Sequence, residues 1–114
     1  MQLHVKTNES FIVPYRFSNS PEALAQVVRA CRASGQPMYW VGGGTSLEVG
    51  LPARTPGTAV DMTRLDKVID YPARDMTITV QAGIRVSRLQ EILASEGQTL
   101  PLDIPWPDKA TVGG

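Results

Sequence analysis

Three adjacent glycines, Gly42-Gly43-Gly44, close the apolar run Met38 to Val41 and are followed at once by Thr45 and Ser46. A turn of residues without Cβ reaches positive φ cheaply and lets another backbone or a ligand approach closely. Pro52 and Pro56 follow, so no long helix starts there. Two readings of the stretch stay open. Its successive N–H groups can converge on an anion, with the Thr45 and Ser46 hydroxyls as further donors, or it is a plain flexible turn. Two familiar phosphate loops are excluded by spelling. A Walker A loop needs a Lys after the last glycine, and none is present. A dinucleotide fingerprint needs a third glycine where Leu47 stands.

The flanking elements place this turn. Phe11-Ile12-Val13 reads as a strand ended by Pro14. Ser20-Pro21 then forms an N-cap and first helical position, and Leu24, Val27, Val28 and Cys31 recur at helical spacing up to Gly35. With Met38 to Val41 as the next strand, the order is strand, helix, strand, a βαβ unit with strands 11–13 and 38–41 parallel. The glycine turn therefore lies at the carboxyl end of a parallel strand, where open α/β sheets hold ligands.

The second half changes character. Residues 48–58 read as a loop and Ala59 to Met62 as a strand, followed by a turn in which Arg64 and Asp66 are solvated. Lys67 to Tyr71 and Met76 to Val80 read as a hairpin around Pro72-Ala73-Arg74-Asp75, with Met76, Ile78 and Val80 on one face. Ser87-Arg88-Leu89-Gln90 spells a capping box before a short helix closed by Gly97. Three prolines between Leu100 and Asp108 forbid regular structure there, and Trp106 is either the wall of a site or part of a connecting loop.

Composition removes several functions. The chain has 114 residues, 11 Lys+Arg and 11 Asp+Glu, so its zero net charge makes no case for nucleic acid or an anionic membrane surface. One cysteine, Cys31, read as a core residue, and one histidine, His4, read as lying in a frayed terminus, leave no disulfide framework, metal cluster or catalytic triad. No apolar run approaches a membrane span and no signal peptide is visible, so a cytoplasmic location is expected. Any chemistry would come from a cofactor or from residues elsewhere.

Taken in order, Val41 to Leu47, Val60-Asp61-Met62 with Leu65, Val80-Gln81-Ala82-Gly83, Leu100-Pro101 and Ala110-Thr111-Val112-Gly113-Gly114 resemble the FAD-binding domain of the FAD-linked oxidases, the vanillyl-alcohol oxidase or PCMH type. The stretch Gly97 to Asp103 is most similar to the FAD-binding subunits of glycolate oxidases. The resemblance covers residues 11–114. It implies an α+β fold in which residues 11–62 form a first βαβ lobe and 67–114 the start of a second lobe of hairpin and helix. It also implies an N-terminal fragment of a longer FAD-binding domain, inactive alone, with apolar surface prone to self-association.

The same resemblance implies that Gly42, Gly43, Gly44, Thr45 and Ser46 hold the FAD pyrophosphate. Thr111, Gly113 and Gly114 would touch the cofactor from the other side, and Pro101 would lie near the flavin. No His stands beside the glycine turn, so non-covalent FAD is expected. The intact enzyme would oxidise a small 2-hydroxy acid, glycolate-like, and pass electrons to a partner subunit or acceptor. The alternative is a non-catalytic nucleotide- or phosphate-binding module built on the same turn.

Overall fold

The computed structural model describes residues 2–5 and 11–114, with side chains from Arg16 onward. A four-stranded sheet is formed by β1 (Gln2–Val5), β2 (Phe11–Phe17), β3 (Met38–Val41) and β4 (Thr58–Asp61) in the order β1-β2-β4-β3. Both β2 and β3 run parallel to β4, so the βαβ expectation holds with β4 inserted between its strands. β1 is antiparallel to β2 and contains His4, which is therefore in a strand rather than a frayed end.

Pro14 does not end β2. The strand pairs with β1 through Pro14 and with β4 from Tyr15 onward. Pro14 sits where the chain changes partner, a place in a sheet that tolerates a residue without an N–H.

Helix α1 (Pro21–Ser34) begins and ends as its sequence dictates. Ser20 Oγ accepts the Ala23 N–H at 3.1 Å, Pro21 takes the first turn, and Gly35 closes the helix at φ 68°. Of its apolar face only Cys31 is buried, while Leu24, Val27 and Val28 are half-buried. In β4 all four residues are buried, which matches a central strand covered on both faces.

A two-stranded antiparallel sheet follows, β5 (Val68–Asp70) and β6 (Thr79–Val80), with an irregularity between Val68 and Asp70. Its second arm is shorter than the alternating pattern suggests. Ala73–Asp75 make a single 3₁₀ turn, and Met76 leaves it at φ 55° with its side chain in solvent. The αL geometry that closes the turn breaks the pleat, so Met76 cannot share a face with Ile78 and Val80. Tyr71 donates to Gln98 Oε1 at 2.7 Å. Partial burial, and then the nearby Glu96 carboxylate, raise its pKa above the ordinary phenol value, so its contribution is lost only as pH climbs past that range. Arg64 is exposed, as expected, and lays its guanidinium over the ring of the exposed Phe17, 4.1 Å from the centroid.

Helix α2 (Val86–Ala94) corrects the capping-box expectation. Ser87 lies inside the helix, and the N-cap is Arg85, which makes no side-chain cap. The first free amides are taken by the chain's last segment, Val86 N–H to Ala110 O and Ser87 N–H to Pro107 O, both at 3.0 Å. Gln90, freed from capping, binds the loop after the helix. Its Nε2 donates to Leu100 O at 2.6 Å and its Oε1 accepts from Leu100 N at 3.0 Å. Val86, Leu89 and Leu93 are buried together with Ile84. Each such side chain contributes about 1.5–3 kcal/mol relative to exposure.

The segment after β6 packs on the turn after β4 at Gly83. A Cβ there would stand 1.7 Å from Met62 O and 2.7 Å from Leu65 O, while Gly83 N–H donates to Leu65 O at 2.8 Å. Main chain packs on main chain, and only hydrogen fits. Gly83→Ala is expected to lower unfolding free energy by about 3 kcal/mol, because neither carbonyl can withdraw. Urea denaturation with an unchanged slope and a loss under about 1 kcal/mol would contradict that packing.

Candidate functional site

The glycine turn leaves β3 at the edge of the parallel sheet. Met62 N–H still bonds Val41 O at 2.9 Å, and the ladder ends there. Gly44 takes φ 73°, and a turn through Ser46 O and Val49 N–H at 3.1 Å closes the excursion. Among the described residues, no hydrogen bond is donated by the backbone N–H of residues 42–46. Five consecutive main-chain donors are left unspent at one strand end.

The C-terminal motif is delivered to the same place by its own ladder. Arg85 and Thr111 form an antiparallel bridge, with Val112 N–H to Ile84 O at 2.9 Å and Gly113 N–H to Ala82 O at 2.8 Å. Thr111 is buried, and its hydroxyl accepts Gly114 N–H at 3.2 Å. The two motifs then touch. A Cβ on Gly42 would meet Thr111 Oγ1 at 2.2 Å, and one on Gly43 would meet Lys109 O at 1.7 Å. Two glycines of the run are thus needed for close packing of the two segments, and Gly44 for its left-handed backbone.

Three cavities surround this junction. One of about 280 Å³ lies between Trp40, Met62, Ala82, Thr111 and Gly113. A smaller one of about 130 Å³ follows the turn itself from Gly42 through Leu47, with Trp40, Thr111 and Gly114 opposite. The third, about 280 Å³, opens on another side of Gly42 to Gly44 and is lined by Asp61, Thr63, Arg85 and Lys109. Asp61 is buried and accepts from Thr63 N–H at 2.7 Å and Thr63 Oγ1 at 2.6 Å, which fixes the turn after β4. Two exposed cations against one carboxylate leave this rim positive beside the unspent amides. Such a surface is suited to a phosphate or diphosphate.

Of the residues singled out in the sequence, Gly42, Gly43, Gly44, Thr45, Ser46, Thr111, Gly113 and Gly114 all border these cavities. Pro101 does not line them; it is exposed on the loop pinned to Gln90. Trp106 is 64% exposed and stands at φ 51° between two prolines. Its carbonyl accepts Lys109 N–H and Ala110 N–H, both at 2.9 Å, so its backbone sets the path of the segment that packs on Gly43. Arg85 and Lys109 were invisible as a pair, because only the Arg85–Thr111 bridge brings them to one wall. Among the described residues there is no cluster of His, Cys, Asp and Glu able to hold a metal ion. Nor is any helix among them long and apolar enough to cross a membrane.

Comparison with known proteins defines the class. Residues 15–114 match the FAD binding domain family, and the chain belongs to it. It is 30% identical over 95 residues to D-2-hydroxyglutarate dehydrogenase of Xanthomonas citri pv. viticola, covering 83% of this chain and 20% of that protein. It is 33% identical over 101 residues to the mitochondrial D-lactate dehydrogenase [cytochrome] 1 of Saccharomyces cerevisiae, covering 86% and 17%. Among solved structures, alkyldihydroxyacetonephosphate synthase superposes with a TM-score of 0.74 at 27% identity, over 87% of this chain and 20% of that one. The chain thus spans about a fifth of the length of these relatives. The mixed α and β architecture is that of the PCMH-type FAD-binding domain, and FAD is the cofactor of the family.

The packing separates the glycines by cause. Gly43→Ala is expected to cost more than about 2 kcal/mol, since Lys109 O is main chain. At Gly44 the nearest atom is Leu47 Cδ1 at 3.8 Å, so Gly44→Ala carries only the left-handed backbone penalty of about 1 kcal/mol. Equal losses in chemical unfolding would contradict this assignment.

Proposed function

We propose that this chain is the FAD-binding portion of a flavin-dependent dehydrogenase or oxidase of a small 2-hydroxy acid, with glycolate among the candidate substrates. The observation that carries the reading is the set of unspent amides at Gly42 to Ser46 facing the Thr111–Gly114 segment. The Gly42 to Ser46 amides and hydroxyls hold the diphosphate, and Thr111, Gly113 and Gly114 close on it from the opposite side. Each cavity is at or below the lower end of the roughly 300–1,000 Å³ of small-molecule sites, so a dinucleotide would extend through more than one. The cofactor is held without a covalent bond, because no His flanks the turn. Residues of about 11–62 and 67–114 serve as a first lobe and the start of a second within one FAD-binding domain.

FAD supplies the two-electron acceptor for the α-carbon hydrogen of the substrate. This chain's residues bind and orient it. The 2-hydroxy-acid class is supported by relatives named D-2-hydroxyglutarate and D-lactate dehydrogenase. Partner subunits and the final electron acceptor belong to the same proposal.

The test uses the protein in its intact natural form. Mild denaturation is expected to release FAD, identified by absorbance and mass. A panel of 2-hydroxy acids, glycolate, D-lactate and D-2-hydroxyglutarate among them, is expected to bleach the bound flavin under anaerobic mixing. Protein that purifies without flavin and takes up no added FAD would refute the reading. Flavin that no 2-hydroxy acid bleaches would refute the substrate class alone.

A further inference from the structure

Trp40 is the last residue but one of β3, and its indole is 53% exposed. It borders both the 280 Å³ cavity beside Met62 and the 130 Å³ cavity along the glycine turn. The pairing explains the placement. Trp40 registers with Val60, and Met62, just past the end of β4, lines that cavity with it. Val60 is fully buried on this sheet, yet the neighbouring indole keeps half of its surface in solvent. An indole on a rigid strand, two residues before Gly42, adjoins unspent phosphate donors. A nucleotide brings both partners at once, a diphosphate and a planar heteroaromatic ring.

We propose that Trp40 is a stacking wall of the dinucleotide site, packing its indole on one planar ring of the cofactor whose diphosphate lies on Gly42 to Ser46. The inference rests on the FAD reading above and deepens it by assigning a ring-binding residue. Stacking suits this position because it needs only a fixed aromatic face, and β3 fixes it through the ladder to β4. The ring is either the adenine or the isoalloxazine, which share this chemistry.

The experiment titrates the intact natural protein, stripped of cofactor, with FAD, ADP and riboflavin in parallel, for wild type, W40F and W40L. W40L is expected to weaken FAD about tenfold, the scale of one lost aromatic stack. W40F is expected to stay within about threefold, because it keeps an aromatic face. A matching loss for ADP with riboflavin unchanged assigns the indole to adenine. A matching loss for riboflavin with ADP unchanged assigns it to the isoalloxazine.

An unchanged FAD affinity in W40L, while wild type binds FAD, overturns the proposal and leaves the FAD reading intact. That result with a lowered melting temperature marks the indole as packing only. Failure of wild type to bind FAD overturns both readings. Where W40L does not fold, W40F decides. A stacked indole perturbs the bound cofactor's absorbance more than a phenyl ring does, and identical difference spectra overturn the proposal.

Discussion

The junction depends on main chain lying directly on main chain. Lys109 O occupies the space where Gly43 would carry a Cβ, and Thr111 Oγ1 the space where Gly42 would. At Gly83 the Met62 and Leu65 carbonyls do the same. Side chains at these three positions would hold the parallel sheet, the turn after β4 and the C-terminal segment apart. With hydrogen at Gly42 and Gly43, segments more than sixty residues apart in sequence meet within van der Waals distance, and the cavities between them have fixed walls. The ladder from Ala82 to Val86 against Ala110 to Gly113 holds the approach from behind. Trp106, held at positive φ, steers the chain into it at a cost of about 1–3 kcal/mol.

That construction leaves polar capacity unspent at one place. Buried main-chain groups are nearly always paired, and α2 illustrates the rule by taking its missing caps from Pro107 and Ala110. The amides of residues 42–46 are the contrast. They stand at an open strand edge, with cations on one side and an exposed indole on the other. In the proposed arrangement a diphosphate would supply acceptors for those donors and charge for the cations, and an attached ring would cover the exposed indole. Membership in the FAD binding domain family supplies the cofactor, and these undonated amides are where we propose its diphosphate rests.

Local chemistry was legible in the sequence where one short segment decides its own structure. The Ser20 cap, the Gly35 stop, β3 and its glycine turn follow from rules that act over a few residues. Order and spacing of the five motifs carried the cofactor family, while glycolate as the substrate has no relative to single it out. Tertiary partners overrode the local rules elsewhere. Ser87 spelled a cap, but the C-terminal segment reached the free amides first. Pro14 spelled a strand end, but the change of partner left its missing N–H without consequence. The Arg85 and Lys109 wall had no sequence signal, because only the fold sets residues 85 and 109 side by side.

Amide hydrogen exchange on the intact natural protein tests the central claim most directly, comparing the cofactor-free form with saturating FAD and saturating riboflavin. The account predicts that FAD slows exchange of the Gly42 to Ser46 amides at least tenfold, while riboflavin, which has no diphosphate, leaves them unprotected. Equal protection by both ligands, or none with FAD bound, would contradict the assignment of the diphosphate to this turn.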